Sequence, residues 1–149
     1  MEIEIKKMTN EHLNQISDIL EEQFDEFWNA NVLEKELENP LSEYIVALSN
    51  NEVVGYAGIW VPLDEAHITN IVTKKEKRGN KIATKMLEEL IKMAKLKKLK
   101  SITLEVNVKN EIAINLYKKC NFIEVGRRSK YYNSVDDAII MTCLLTGQK

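Results

Sequence analysis

Cysteine, proline and glycine are all scarce in this 149-residue chain, and each shortage removes a class of protein. Two cysteines, Cys120 and Cys143, are too few for a disulfide framework and too far apart for a CxxC pair, so reduced thiols filling packing positions in a cytosolic protein are expected. Five glycines and two prolines fall below the usual shares of about 7% and 5%, which excludes collagen-like and Pro/Gly-rich disordered chains. Long apolar runs are missing as well. The longest uncharged stretches, Val53 to Leu63 and Ala138 to Gln148, fall short of the roughly 18–20 residues a membrane helix needs. The opening residues Met1-Glu2-Ile3-Glu4 are acidic where a secretory signal would be basic and then apolar, so an intracellular, unprocessed protein without a membrane span is expected. No His/Cys/Asp/Glu set has metal-ligand spacing, and no metal is expected.

What is present fits one globular domain over residues 1–149, since a chain of this length buries about 68–70% of its unfolded surface without staples. The net charge is only −2, but it is unevenly spread. Residues 1–72 carry net −12, residues 73–100 net +8 and residues 101–149 net +2. Such asymmetry points to one region that meets phosphate and another that meets a cation, with a Lys-rich solvated helix as the plain alternative. The sequence pI of about 5.8 lies far below the basic footprint of a nucleic-acid binder, so no direct nucleic-acid partner is expected.

Periodicity supplies the elements. Ile3 and Ile5 alternate in a first strand over Glu2 to Lys7, and Thr9 with Asn10 can cap a helix whose apolar stripe runs through Leu13, Ile16, Ile19, Leu20 and Phe24. A short helix over Val32 to Leu37 stops before Pro40. Glu43 to Leu48 and Glu52 to Trp60 read as a hairpin around Ser49-Asn50-Asn51, followed by a strand over His67 to Val72. Ile82, Ala83, Met86, Leu87, Leu90, Ile91 and Ala94 mark one face of a long amphipathic helix. A strand over Ser101 to Val106, a helix from Glu111 to Cys120 and strands near Phe122 to Arg128 and Asp137 to Leu145 complete the order β-α-α-β-β-β-α-β-α-β-β. The expectation is a mixed α/β sheet with helices on both faces. Parallel pairing through right-handed crossovers is expected between residues 67 and 128.

Ligands of open α/β sheets settle beyond the carboxyl ends of strands, which directs attention to the segments after Val72 and Val106. The first, Thr73 to Lys81, is a basic loop entering the long helix, where free backbone N–H groups and the helix dipole favour an anion. No Walker loop and no G-x-G-x-x-G is present, so the commonest nucleotide motifs are excluded. A capped surface helix stays open as the alternative. Glu105 sits on the polar face of a strand, and Tyr117 has the helical spacing of a core aromatic. His12 and His67 read as structural.

Arg78-Gly79-Asn80-Lys81-Ile82-Ala83, after Asn70-Ile71-Val72-Thr73, resembles the pyrophosphate loop of the GCN5-related N-acetyltransferases, the GNAT family: Arg or Gln, two residues, Gly, any residue, then Gly or Ala. Arg78 and Ala83 fit, and Lys81 stands where that pattern has Gly. Leu104-Glu105-Val106, Asn110, Ala113 to Tyr117, Asn121-Phe122, Arg127-Arg128, Tyr131-Tyr132 and Asp136 to Met141 are together similar to the bacterial ribosomal-protein alanine N-acetyltransferases within that family.

The resemblance implies the GNAT fold and acetyl-CoA as co-substrate, with pantetheine beside Ile71, Val72 and Thr73, pyrophosphate over Arg78, Gly79, Asn80, Lys81, Ile82, Ala83 and Thr84, and Asn110 near the cofactor. It implies Glu105 as general base and Tyr117 as general acid, with a backbone N–H near Val72 on the thioester oxygen. It also implies an acceptor peptide against Trp28, Tyr131 and Tyr132, for which a helix packing residue and an aromatic turn are the plain alternatives. Arg78, Lys81 and Lys85 are the basic residues to test, a solvated face being theirs.

The expected activity is acetyl transfer to the α-amine of a protein N-terminus, the N-terminal alanine of a ribosomal protein, in the cytoplasm and by a monomer or weak dimer. A small-amine acetyltransferase acting on a polyamine or aminoglycoside, and a non-catalytic acetyl-CoA sensor, remain alternatives.

Overall fold

In the computed structural model the described residues are 2–24, 29–132 and 135–145, with the side chain of Tyr132 outside them. The elements are β1 (Glu4–Lys7), α1 (Asn10–Ile16), α2 (Ala30–Glu38), β2 (Ser42–Ser49), β3 (Glu52–Trp60), β4 (Glu65–Thr73), α3 (Ile82–Leu96), β5 (Ser101–Asn107), α4 (Glu111–Lys119), β6 (Ile123–Tyr132) and β7 (Asp136–Leu144). A π-helical turn occupies Leu20–Phe24 and a 3-10 turn Lys75–Lys77. This is the expected order, in a seven-stranded mixed sheet β1-β2-β3-β4-β5-β7-β6. No described helix is long and apolar enough to cross a membrane.

Two compact units emerge, Met1–Trp60 with Thr69–Leu90 and Val61–Ile68 with Ile91–Lys149. In the first, Thr9 caps α1 through a reciprocal pair. The His12 N–H donates to Thr9 Oγ1 at 3.3 Å and the Thr9 N–H donates to His12 Nδ1 at 3.0 Å, so His12 is structural as expected. The apolar stripe does not run as one helix to Phe24. Ile16, Leu20 and Phe24 are spaced by four, which drifts about 40° per step in an α-helix, and the wider π turn keeps Leu20 and Phe24 buried. Asn50 and Asn51 both take positive φ, 51° and 68°, the requirement of a two-residue hairpin turn between β2 and β3. Gln15 binds that hairpin, accepting from the Val53 N–H at 2.7 Å and donating to the Asn51 carbonyl at 3.3 Å. The middle residues of both strands are buried on both faces.

In the second unit the start of β4 runs parallel to β5, with pairs from Glu65↔Ser101 to His67↔Thr103. β5 and β6 both run antiparallel to β7, which lies between them. The direct β5–β6 pairing expected from the crossover is therefore not formed. Ala138, Ile139, Met141 and Cys143 of β7 are buried, whereas Arg127, Arg128, Ser129 and Lys130 of β6 are exposed. The apolar strand takes the inner position and the charged one the edge, where charge discourages further pairing. Cys120 and Cys143 form no disulfide among the described residues, and burial raises the Cys143 pKa, as suits a packing residue.

Candidate active site

The first unit holds the anion-loop candidates. Ile71, Val72 and Thr73 finish β4, Arg78 to Lys81 form an exposed loop, and Ile82 to Thr84 open α3, whose first turn carries no acid. Gly79 has φ of 87° and Lys81 φ of 61°. Lys81 thus adopts the left-handed backbone for which glycine is the usual choice, and the loop keeps that path despite the departure from the family pattern. Asn80 braces it by donating from Nδ2 to the Lys77 carbonyl at 2.9 Å.

Lys74, counted in sequence with the basic loop, is already neutralised. Its Nζ lies 2.7 Å from Glu52 and 3.2 Å from Glu76, and its side chain is only 10% exposed. Asn70, just before Ile71, has both amide atoms buried with no hydrogen-bond partner among the described residues. A donor and an acceptor removed from water without partners are costly, so this site is poised to gain them from a ligand.

The second unit gathers a charged cluster. Thr103, Glu105 and Asn107 alternate with buried Ile102, Leu104 and Val106 along β5. The Glu105 side chain is 11% exposed, so it is not the solvated strand residue its alternation allowed. His67 pairs with Thr103 in parallel register, and Glu105, two residues on, shares that face; His67 Nε2 stands 3.5 Å from Glu105 Oε1. Arg128 Nε stands 3.3 Å from Glu105 Oε2. Arg128 and Tyr131 are three apart and would face opposite sides of a regular strand. The β6 register breaks between Arg128 and Tyr132, Lys130 takes φ of 50°, and the Arg128 guanidinium lies 5.4 Å from the Tyr131 ring centroid. The Glu105 charge, with burial behind it, raises the Tyr131 pKa.

Tyr117 lies in α4, 6% exposed, its ring tilted against Phe122 at 5.8 Å, which is the core placement its spacing allowed. Asn110 caps α4, its Oδ1 accepting from the Ala113 N–H at 3.1 Å. Tyr131 is 48% exposed. Trp28 lies outside the described residues, as does the side chain of Tyr132. The cluster unites Glu105 with Tyr131 and adds two residues that sequence reasoning missed, His67 and Arg128. The only signal for His67 was its place one strand before Glu105 in a parallel crossover unit.

The profile described as the Acetyltransferase (GNAT) family matches residues 13–122. A Bacillus subtilis (strain 168) protein, provisionally named ribosomal protein bS18-alanine N-acetyltransferase, is 34% identical over 139 residues, covering 92% of each chain. The crystal structure of the ribosomal-protein-S18-alanine N-acetyltransferase from Escherichia coli superposes with a TM-score of 0.89 at 24% identity, covering 99% of this chain and 97% of that one. A chain of the NatC complex bound to Gag peptide and CoA gives a TM-score of 0.82 at 24% identity, covering 98% and 100%.

Proposed function

The chain belongs to the GNAT family and is an N-acetyltransferase, and from that premise we propose that it transfers acetyl from acetyl-CoA to the α-amine of a protein N-terminus, the N-terminal alanine of a ribosomal protein. The observation that carries this reading is the 34% identity with the Bacillus subtilis protein, which extends over 92% of both chains.

The residues present fit acetyl-CoA. The unpartnered Asn70 amide, the end of β4 and an acid-free α3 N-terminus entered through left-handed Gly79 and Lys81 suit amide groups followed by a pyrophosphate. Bound there, acetyl-CoA supplies the activated acyl group. On this reading Ile71, Val72 and Thr73 hold the pantetheine and Arg78, Gly79, Asn80, Lys81, Ile82, Ala83 and Thr84 the pyrophosphate. Asn110 supports the nearby turn by capping α4.

Glu105 stands on the base side of the reaction and Tyr117 on the acid side. Tyr131, exposed and backed by Arg128, takes the peptide together with Trp28 and Tyr132. An α-amine, with an ordinary pKa of about 7.7–8.0 against about 10.4 for lysine, is partly nucleophilic at neutral pH and needs only modest base assistance. The enzyme works as one domain over residues 1–149, a monomer or weak dimer in the cytoplasm, without a metal.

The test is mass spectrometry of a peptide mixture incubated with the protein and acetyl-CoA, containing free Ala-starting peptides and N-blocked peptides with lysine. Acetyl confined to free N-termini is the expected outcome. Transfer to lysine overturns the N-terminal assignment. Absence of any transfer favours a small-amine acceptor, checked with polyamines and aminoglycosides, or a sensor, checked by calorimetry with acetyl-CoA.

A further inference from the structure

The β6–β7 ladder pairs Arg128 with Ala138 and next Tyr132 with Asp136, so Ser129, Lys130 and Tyr131 all stand opposite the single residue Asp137. A regular antiparallel pair sets one residue against one, and the surplus in β6 interrupts the ladder. Lys130 turns to φ of 50° in this bulge, a left-handed backbone that a lysine keeps only where its surroundings enforce it. Asp137 supplies the enforcement. Its Oδ1 accepts from the Lys130 N–H at 2.9 Å, a side chain standing in for the lost ladder bond. Its carbonyl accepts from the Val108 N–H at 3.0 Å, which ties the same residue to the end of β5, the strand that carries Glu105. The neighbouring Asp136 does not share this task, being held by Asn107 Nδ2 at 3.1 Å and Lys109 Nζ at 2.9 Å.

The consequence falls on Tyr131. The bulge brings its ring to 5.4 Å from the Arg128 guanidinium, and its hydroxyl hydrogen-bonds the Glu105 carboxylate. The residue is still 48% exposed, so part of it stays open to an acceptor. Bulges beside active sites commonly re-aim one side chain in this way.

We propose that Asp137 is a positioning residue of the acceptor site: its carboxylate holds the β6 bulge that sets Tyr131 against Glu105, and thereby fixes where the acceptor amine lies relative to that carboxylate. The inference rests on the acetyltransferase reading above and adds to it a residue that acts through Tyr131, with Glu105 keeping its place on the base side.

The experiment measures kcat and KM for an Ala-starting peptide and for acetyl-CoA with Asp137→Ala, Asp137→Asn, Tyr131→Ala and the double variant Asp137→Ala with Tyr131→Ala, alongside melting curves. Misplacing a substrate by about 1 Å can cost on the order of a hundredfold, so Asp137→Ala should lose at least about tenfold in kcat/KM for the peptide. KM for acetyl-CoA should stay within about threefold of the parent, which a general loosening of the fold would not give. Asp137→Asn keeps an oxygen acceptor for the Lys130 N–H and should stay within about threefold of the parent on the peptide. In the Tyr131→Ala background the Asp137→Ala change should cost less than about threefold more, because the two residues act through one another.

An Asp137→Ala enzyme with the parent's kcat/KM for the peptide, or losses that multiply fully in the double variant, overturns the proposal. Should Asp137→Ala not fold, Lys130→Pro decides: it removes the N–H that Asp137 accepts and confines φ near −65° on an exposed edge strand, and retained peptide turnover overturns the proposal. A parent that acetylates no peptide overturns it together with the N-terminal reading, whereas an active parent with active Asp137 variants overturns the role of Asp137 alone.

Discussion

At the residue scale the most informative position is Lys81. Its φ of 61° lies where an L side chain crowds its own backbone, a cost of order 1 kcal/mol that glycine avoids. The family pattern has glycine there, so the loop carries a strain that glycine would relieve. Lys81→Gly is expected to raise the melting temperature by about 2–4 °C, the usual return on about 1 kcal/mol in a chain of this size, as read by thermal unfolding. An unchanged or lower melting temperature would mean that the side chain compensates for its own strain. Lys74 shows the limit of charge counting, since its partner Glu52 lies on β3, distant in sequence, and a charge total along the chain cannot tell a neutralised cation from a free one.

At the element scale the β2–β3 pair depends on Gly58. It stands opposite Tyr44, and a Cβ built on Gly58 would come within 2.5 Å of three carbons of the Tyr44 ring. That ring is buried, and its hydroxyl shares a 2.8 Å hydrogen bond with Thr69 Oγ1, so it has nowhere to go. Gly58→Ala should destabilise the protein by at least the 1–3 kcal/mol typical of overpacking, visible as a lower urea midpoint with the same slope. Combining it with Tyr44→Leu should cost less than the sum of the two single changes, because the clash is shared. Gly55 is more forgiving on one side, where its nearest neighbour is the flexible Met86 Cε at 2.9 Å. The helix stripe of residues 13–24 was legible as apolar spacing, but the switch to a π turn was not, because a spacing of four satisfies either helix type over a short run.

At the scale of the whole molecule, the paired carboxylates set the response to acid. Hydrogen bonds from Lys74 to Glu52, from Lys109 to Asp136 and from Lys100 to Asp64 lower the pKa of each acid in the folded protein. Their contribution is complete above the unfolded carboxylate range of about 3.9–4.3 and is lost as pH falls through the lower folded values. Burial raises the Tyr44 pKa, so its contribution holds up to about pH 10 and declines above it. Melting temperature should therefore be nearly flat in these terms from pH 5 to 8, and should fall below about pH 4 and above about pH 10. Glu52→Gln should blunt the acid limb, and a protein that gains stability below pH 4 would contradict the account.

The sequence alone determined the element order, the hairpin at Asn50-Asn51, the Thr9 cap of α1 and the resemblance to the acetyltransferase family, because periodicity, turn chemistry and motif spacing act over a few residues. Tertiary structure alone decided that β7 lies between β5 and β6, that Lys81 holds a left-handed backbone, and that His67, Glu105, Arg128 and Tyr131 meet. Those outcomes depend on strand register and on a break in β6, which are set by burial competition among residues dozens of positions apart.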